Sequence, residues 1–151
     1  AGDTLRFCDM MNEKAAYLGM ATTHFSNPNG MPAPDNYSTA SDLMRLARYA
    51  MRDSTFASIV ATRDRKVPLV DGRHMDCLNT NALLSSYQGC IGIKTGFTRQ
   101  AGNCLASAAT RNGTTLYLVL LNSRSMRSRF TESAILLDYG FRVMQEYSQQ
   151  D

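Results

Sequence analysis

Apolar residues first recur at helical spacing. Cys8, Met11, Ala15 and Leu18 share one stripe, and Gly19 follows as a left-handed cap, which predicts a helix over residues 4–18. The periodicity breaks at Asn27-Pro28-Asn29-Gly30, Pro32 and Pro34, so His24 to Asn36 is expected to be an irregular loop with tight turns. It resumes with Leu43, Leu46, Ala47 and Ala50. Thr39 stands before them as N-cap, with Asp42 at the spacing of a capping box. This helix is expected to end near Arg52 or Asp53.

The period then shortens. Val67 to Leu78 reads as a hairpin folded at Asp71-Gly72, flanked by an exposed rim of Arg63, Arg65 and Lys66. Asn79 to Tyr87 is a connector with Leu83 and Leu84 pointing inward. Three strands follow, at Ile91–Thr98, Asn103–Arg111 and Thr114–Asn122. Asn112-Gly113 between the last two is the strongest hairpin signal in the chain. The middle strand carries Ala106, Ser107, Ala108 and Ala109, small enough for a helix to pack closely. The third is apolar on both faces, as expected of a strand covered on both sides. A last helix, from about Ser128 to Glu146, buries Ala134, Leu137, Phe141 and Met144, and Gly140 within it permits close approach to the sheet. The expected fold is α/β (α+β), an antiparallel sheet flanked by helices. Residues 1–88 form a helical and loop part with a small hairpin, and 89–151 a three-strand sheet with its helix.

Composition bounds the picture. The 151 residues are 44% hydrophobic and 19% charged, which suits one globular domain. The longest apolar run, Leu116 to Leu121, is far short of the roughly 20 residues that span a bilayer. No basic-plus-apolar leader segment opens the chain. It starts Ala1-Gly2-Asp3-Thr4 without an initiator methionine, and the expectation is a start internal to a longer gene product. A net charge of +3, with no basic stripe interleaved with aromatics, argues against nucleic acid as a partner. Cys8, Cys77, Cys90 and Cys104 form no Cys-x-x-Cys pair, and His74 with Cys77 lacks a second half-site, so no metal site is expected. Cys8 and Cys104 are expected to pack as small hydrophobes.

The first strand of the sheet ends in Ile93-Lys94-Thr95-Gly96-Phe97-Thr98. Lys-Thr-Gly at a strand end is one of three signatures of penicillin-recognising serine acyl-transferases. Other stretches accompany it in order. They are Met11–Ala15, Leu18-Gly19-Met20, Thr23–Gly30, Tyr37–Ala40, Asn79–Leu84, Ala101–Leu105 and Leu136–Phe141. On these the chain resembles the C-terminal part of the catalytic domain of serine-type D-alanyl-D-alanine carboxypeptidases, the low-molecular-mass penicillin-binding proteins. The resemblance covers nearly the whole chain.

The resemblance implies a β-lactamase/transpeptidase-like fold and a peptidoglycan stem peptide ending in D-Ala-D-Ala as substrate, with β-lactams as ligands of the full-length parent. That substrate lies antiparallel against the Lys-Thr-Gly strand. Gly96 leaves room for its backbone, and the Phe97 N–H is one of two oxyanion-hole donors. Thr95 and Thr98 face the terminal carboxylate. Lys94 supplies fixed positive charge and helps protons move around the nucleophile. Arg129 falls where the family places a carboxylate-binding arginine, although Arg124 or Arg127 could take that role after a small loop shift. No cofactor is implied, and the family works outside the cytoplasmic membrane. The end of the catalytic domain falls at Tyr147–Asp151. His24, Ser38 and Thr39 read as loop and helix-start residues rather than as a base or nucleophiles.

Two signatures are missing. No serine is followed by lysine at the third position, and no Ser-x-Asn occurs. The first carries the nucleophile and its base, the second completes the proton path, and in family order both precede Ala1. The chain alone is therefore expected to be inactive. The family sheet has five strands, two of them from the N-terminal segment. Without these, Thr114–Asn122 is expected to be an exposed apolar edge that self-associates or pairs with the missing segment. Two other readings compete, a non-catalytic homologue that binds peptidoglycan or a partner, and a β-lactamase.

Overall fold

The computed structural model describes residues 2–149. Helix α1 (Thr4–Tyr17) starts at Asp3, whose carboxylate accepts from the Arg6 N–H at 2.7 Å. It ends as expected: Gly19 has φ of +70°, and the N–H groups of Gly19 and Met20 bond the carbonyls of Ala16 and Ala15. The following loop is irregular but pinned. Asn12 both donates to the Phe25 carbonyl and accepts from its N–H, and His24 and Tyr37 form an isolated antiparallel bridge.

Helix α2 (Ala40–Ala50) begins at Thr39, whose hydroxyl accepts from the Asp42 N–H at 3.3 Å. Only this half of the expected capping box forms. Asp42 is buried and turns its carboxylate to the loop instead. There it accepts from the Thr22 N–H at 2.9 Å and from the hydroxyls of Thr22 and Thr23, both at 2.8 Å. Burial raises its pKa, but these hydrogen bonds and Arg45 outweigh burial and hold it below the ordinary carboxylate value.

Helix α3 (Ser54–Ala61) is not among the elements that the hydrophobic pattern predicts. Its signal was present. Asp53 caps it by accepting from the Phe56 N–H at 2.8 Å. Strands β1 (Asp64–Pro68) and β2 (His74–Leu78) form a hairpin that begins earlier than expected and turns differently. The Leu69 N–H bonds the Arg73 carbonyl at 2.8 Å, which leaves Val70-Asp71-Gly72 as a three-residue loop with Gly72 left-handed at +81°.

A short helix, α4 (Leu83–Ser86), buries Leu83 and Leu84 and leads into the main sheet. That sheet consists of β3 (Cys90–Thr98), β4 (Gly102–Arg111) and β5 (Thr114–Ser123), antiparallel in the order β3-β4-β5. The β4–β5 turn is the expected one, with Asn112 and Gly113 at φ of 49° and 77°. Helix α5 (Ser128–Ser148) closes the chain.

Consecutive residues on β4 separate the two helical layers. Ala108 packs with Ala47 of α2, Ile93 and the α3 residues Phe56 and Val60. Ala109 packs with Leu137 and Phe141 of α5. Neighbours on a strand face opposite ways, so α2 and α3 cover one face and α5 the other. Both alanines are completely buried. Gly140 allows the close approach of α5, since a Cβ there would lie 2.9 Å from Leu116 Cδ1. Met144, expected to be buried, is exposed; it lies in an open groove beside Arg111, Asn112 and Thr114, at the β4–β5 turn. Strand β5 is covered on both faces, but as an edge strand its apolar side chains are mostly half-buried. Cys8 is buried, Cys104 is half-buried, and all four cysteines are free thiols.

Candidate active site

Strand β3 is the second edge of the sheet, and its side chains alternate between the faces. Lys94 lies beside an apolar groove of about 310 Å³ between α2 and the sheet, walled by Leu43, Leu46, Phe56, Val119 and Leu121. Its Nζ donates to the Thr95 carbonyl at 2.6 Å. Thr95 is buried, and its hydroxyl shares a 2.6 Å hydrogen bond with the Thr80 hydroxyl. The Thr98 hydroxyl oxygen accepts from the Ala101 N–H at 2.9 Å, which leaves its own proton free to donate.

Gly96 is not demanded by the rest of the chain. A Cβ there would find only Cys104 Cβ, at an ordinary 3.8 Å, and its φ lies outside the left-handed region. A missing side chain that neither packing nor backbone requires points to something approaching from outside.

Arg129 sits near the start of α5. It is 5% exposed, and one guanidinium nitrogen donates to the carbonyls of both Gly96, at 3.2 Å, and Cys104, at 3.4 Å. Its Nε is buried without a partner among the described residues, and the guanidinium lies 4.8 Å from the centre of the Phe130 ring. Arg124 and Arg127 are exposed, so of the three arginines Arg129 is the one that reaches β3. Gly96 and Cys104 are register partners, and one nitrogen reaches both carbonyls. The Gly96 carbonyl therefore points between β3 and β4. In the trans Gly96–Phe97 peptide the Phe97 N–H points the opposite way, out over the open edge. The Phe97 ring is exposed beside it.

The arrangement offers a strand edge with an outward donor and two cationic side chains. Among the described residues no lysine amine is hydrogen-bonded to a serine or threonine hydroxyl, the pairing that activates an oxygen nucleophile. Cys90, at the start of β3, does not substitute: burial pushes its thiol above the ordinary value, which disfavours the thiolate.

A sequence profile of the D-alanyl-D-alanine carboxypeptidase family matches residues 1–125. The D-alanyl-D-alanine carboxypeptidase of Streptomyces sp. strain K15 is 41% identical over 142 residues, covering 91% of this chain and 49% of that protein. The chain belongs to the D-alanyl-D-alanine carboxypeptidase family. A second family member, DacB2 of Mycobacterium tuberculosis, is 36% identical over 138 residues, 88% of this chain and 47% of its own length. The crystal structure of the Streptomyces K15 DD-transpeptidase superimposes with a TM-score of 0.85 at 39% identity, covering 90% of this chain and 54% of that one. A penicillin-binding protein homologue from Mycobacterium tuberculosis gives 0.86 at 34% identity, covering 93% and 55%. The α+β fold of the carboxypeptidase family is thus shared, and the chain spans about half the length of the curated relatives it matches.

Two features of this strand are not predicted by the sequence. One is Thr80 as the hydroxyl partner of Thr95. The other is the grip of Arg129 on the Gly96 carbonyl. The first lies 15 residues away along the chain and the second 33, and no local spacing announces either.

Proposed function

We propose that this chain forms the substrate-holding part of a serine-type D-alanyl-D-alanine carboxypeptidase that trims peptidoglycan stem peptides through an acyl-serine intermediate. The attacking serine and its lysine lie on a segment that precedes residue 1 in the parent. The observation that carries this reading is β3, an edge unpaired among the described residues, with an outward Phe97 N–H beside Gly96. A D-Ala-D-Ala backbone pairs along that edge, and its scissile carbonyl oxygen accepts from Phe97. A donor of this kind is worth about 3–4 kcal/mol to the transition state. Thr95 and Thr98 take the terminal carboxylate. Lys94 places positive charge where the nucleophile approaches and assists proton movement. β-Lactams occupy the same edge, and the parent works outside the cytoplasmic membrane.

Covalent labelling with a fluorescent penicillin tests this. The 151-residue chain should remain unlabelled, and the natural polypeptide that includes the preceding segment should be labelled and should release D-alanine from a pentapeptide. Labelling of the chain alone refutes the division of the site. A natural polypeptide that neither labels nor releases D-alanine is a binding homologue, and efficient antibiotic turnover makes it a β-lactamase.

A further inference from the structure

Arg129 is unusual for a surface-helix arginine. It is 5% exposed, its Nε has no partner, and it spends a charged donor on two backbone carbonyls of adjacent strands. Burying a guanidinium with an unmet N–H is costly, so the contact it secures has to be worth that cost. One of those carbonyls belongs to the peptide whose N–H projects from β3. We propose that Arg129 is a positioning residue for the oxyanion donor: by gripping the Gly96 carbonyl from the α5 side, it fixes and polarises the Gly96–Phe97 peptide so that the Phe97 N–H meets the developing oxyanion. This inference rests on the reading of Phe97 given above.

Two physical effects act together. A peptide unit is planar, so holding its oxygen fixes the direction of its N–H. A cation on the carbonyl draws electrons from the amide, and hydrogen bonds along one chain of dipoles reinforce each other, which makes the N–H a stronger donor. Gly96 gives the peptide no side chain to brace it, and among the described residues no strand lies on the outer side of β3. Arg129 and the β4 ladder are what hold it. Cys104 shares the same guanidinium nitrogen, so both strands are clamped at the register pair beside the donor.

A carboxylate-binding arginine and a peptide-positioning arginine predict different losses. The test uses the natural polypeptide, with Arg129→Met and Arg129→Lys. Acylation is measured with a β-lactam, with its carboxylate methyl ester, and by inhibition with an alkyl boronic acid that carries no carboxylate. Positioning predicts that Arg129→Met slows acylation by about 10- to 100-fold for acid and ester alike and weakens the boronic acid similarly, with initial non-covalent binding changed by less than about threefold. Arg129→Lys, which keeps a charge near the carbonyl, should recover part of the rate. A loss confined to the carboxylate-bearing β-lactam overturns the proposal.

A second readout does not depend on chemistry. In protein labelled with [¹⁵N]phenylalanine, the Phe97 amide proton should move upfield in both variants, more in Arg129→Met, and its exchange with solvent should quicken. The Phe56 and Phe141 amides should stay in place. An unmoved Phe97 amide overturns the proposal even in a variant too weak to assay. If the unaltered polypeptide is never acylated, the functional reading fails, and the Phe97 amide alone decides whether Arg129 positions that peptide.

Discussion

The Tyr87 hydroxyl donates to Asp138 at 2.7 Å, joining residues 51 apart and tying the connector before β3 to the middle of α5. Arg111 completes the junction. It donates to the same carboxylate oxygen at 2.9 Å and lies over the rings of Tyr87 and Phe141. The strand that carries Lys94 is thereby anchored to the helix that carries Arg129.

Removing the hydroxyl should loosen this anchor modestly, because Asp138 is largely exposed. Tyr87→Phe is expected to cost about 1 kcal/mol in urea unfolding at neutral pH. The cost should depend on pH at both ends. The Tyr87 hydrogen bond, with Arg111 and against burial, holds the Asp138 carboxyl below its ordinary value, so this stability is present above the unfolded carboxyl pKa and lost as pH falls through the folded one. Burial, then Asp138, raises the Tyr87 hydroxyl, so stability falls again once pH rises above the ordinary tyrosine value of about 10. The gap between the two proteins should therefore narrow below pH of about 4 and above about 10.

Asp42 gives a second acid-sensitive junction, between α2 and the loop after α1. It accepts three hydrogen bonds from Thr22 and Thr23 and is held below the ordinary carboxylate value despite burial, so its contribution is lost as pH falls through that depressed value. Asp42→Asn should lower the urea midpoint at neutral pH without changing the slope, and should flatten the acid limb of the stability curve.

Gly96→Ala should separate folding from function. Among the described residues nothing resists the methyl group, and the substitution reduces the entropy of the unfolded chain, so stability should hold or rise by about 0.4–1 kcal/mol. Penicillin labelling of the natural polypeptide should fall at the same time. A loss of stability matching the loss of labelling would show that the glycine serves packing.

The outer edge of β5 should govern association. Among the described residues no strand pairs there, and Leu121 is partly exposed at the adjoining groove. Sedimentation of the 151-residue chain should show self-association that Leu121→Lys weakens. A monomer at all concentrations would rule out this edge as an association surface.

Legibility followed the range of the interactions. The Asn112-Gly113 hairpin, the Gly19 cap and the inward Leu83-Leu84 pair were readable because short-range backbone preferences fix them. So was Lys94-Thr95-Gly96, which lies at the end of β3 as expected. Helix α3 was not read, since its eight residues are too few for a clear stripe and its Asp53 cap looked like the end of α2. The Asp71-Gly72 turn misled because Gly72 suits a three-residue loop as well as a two-residue one. Asp42 was read through its neighbour Thr39, yet loop hydroxyls some twenty residues upstream took its carboxylate. Which arginine reaches β3 depends on where the first turn of α5 faces, a tertiary fact that spacing along the chain does not hold.

The paired alanines of β4 have a mechanical consequence. Ala108 and Ala109 leave no slack between α2 and α5, so the central strand acts as a thin bulkhead with a helix pressed on each side. One added methylene on either residue has nowhere to go except into a neighbouring helix, and β3 is laced to that bulkhead along its length. The positions least tolerant of change thus include two that bear no functional group and touch no substrate. Drift there would move the edge on which the chemistry depends, and a survey confined to the cleft would miss its source.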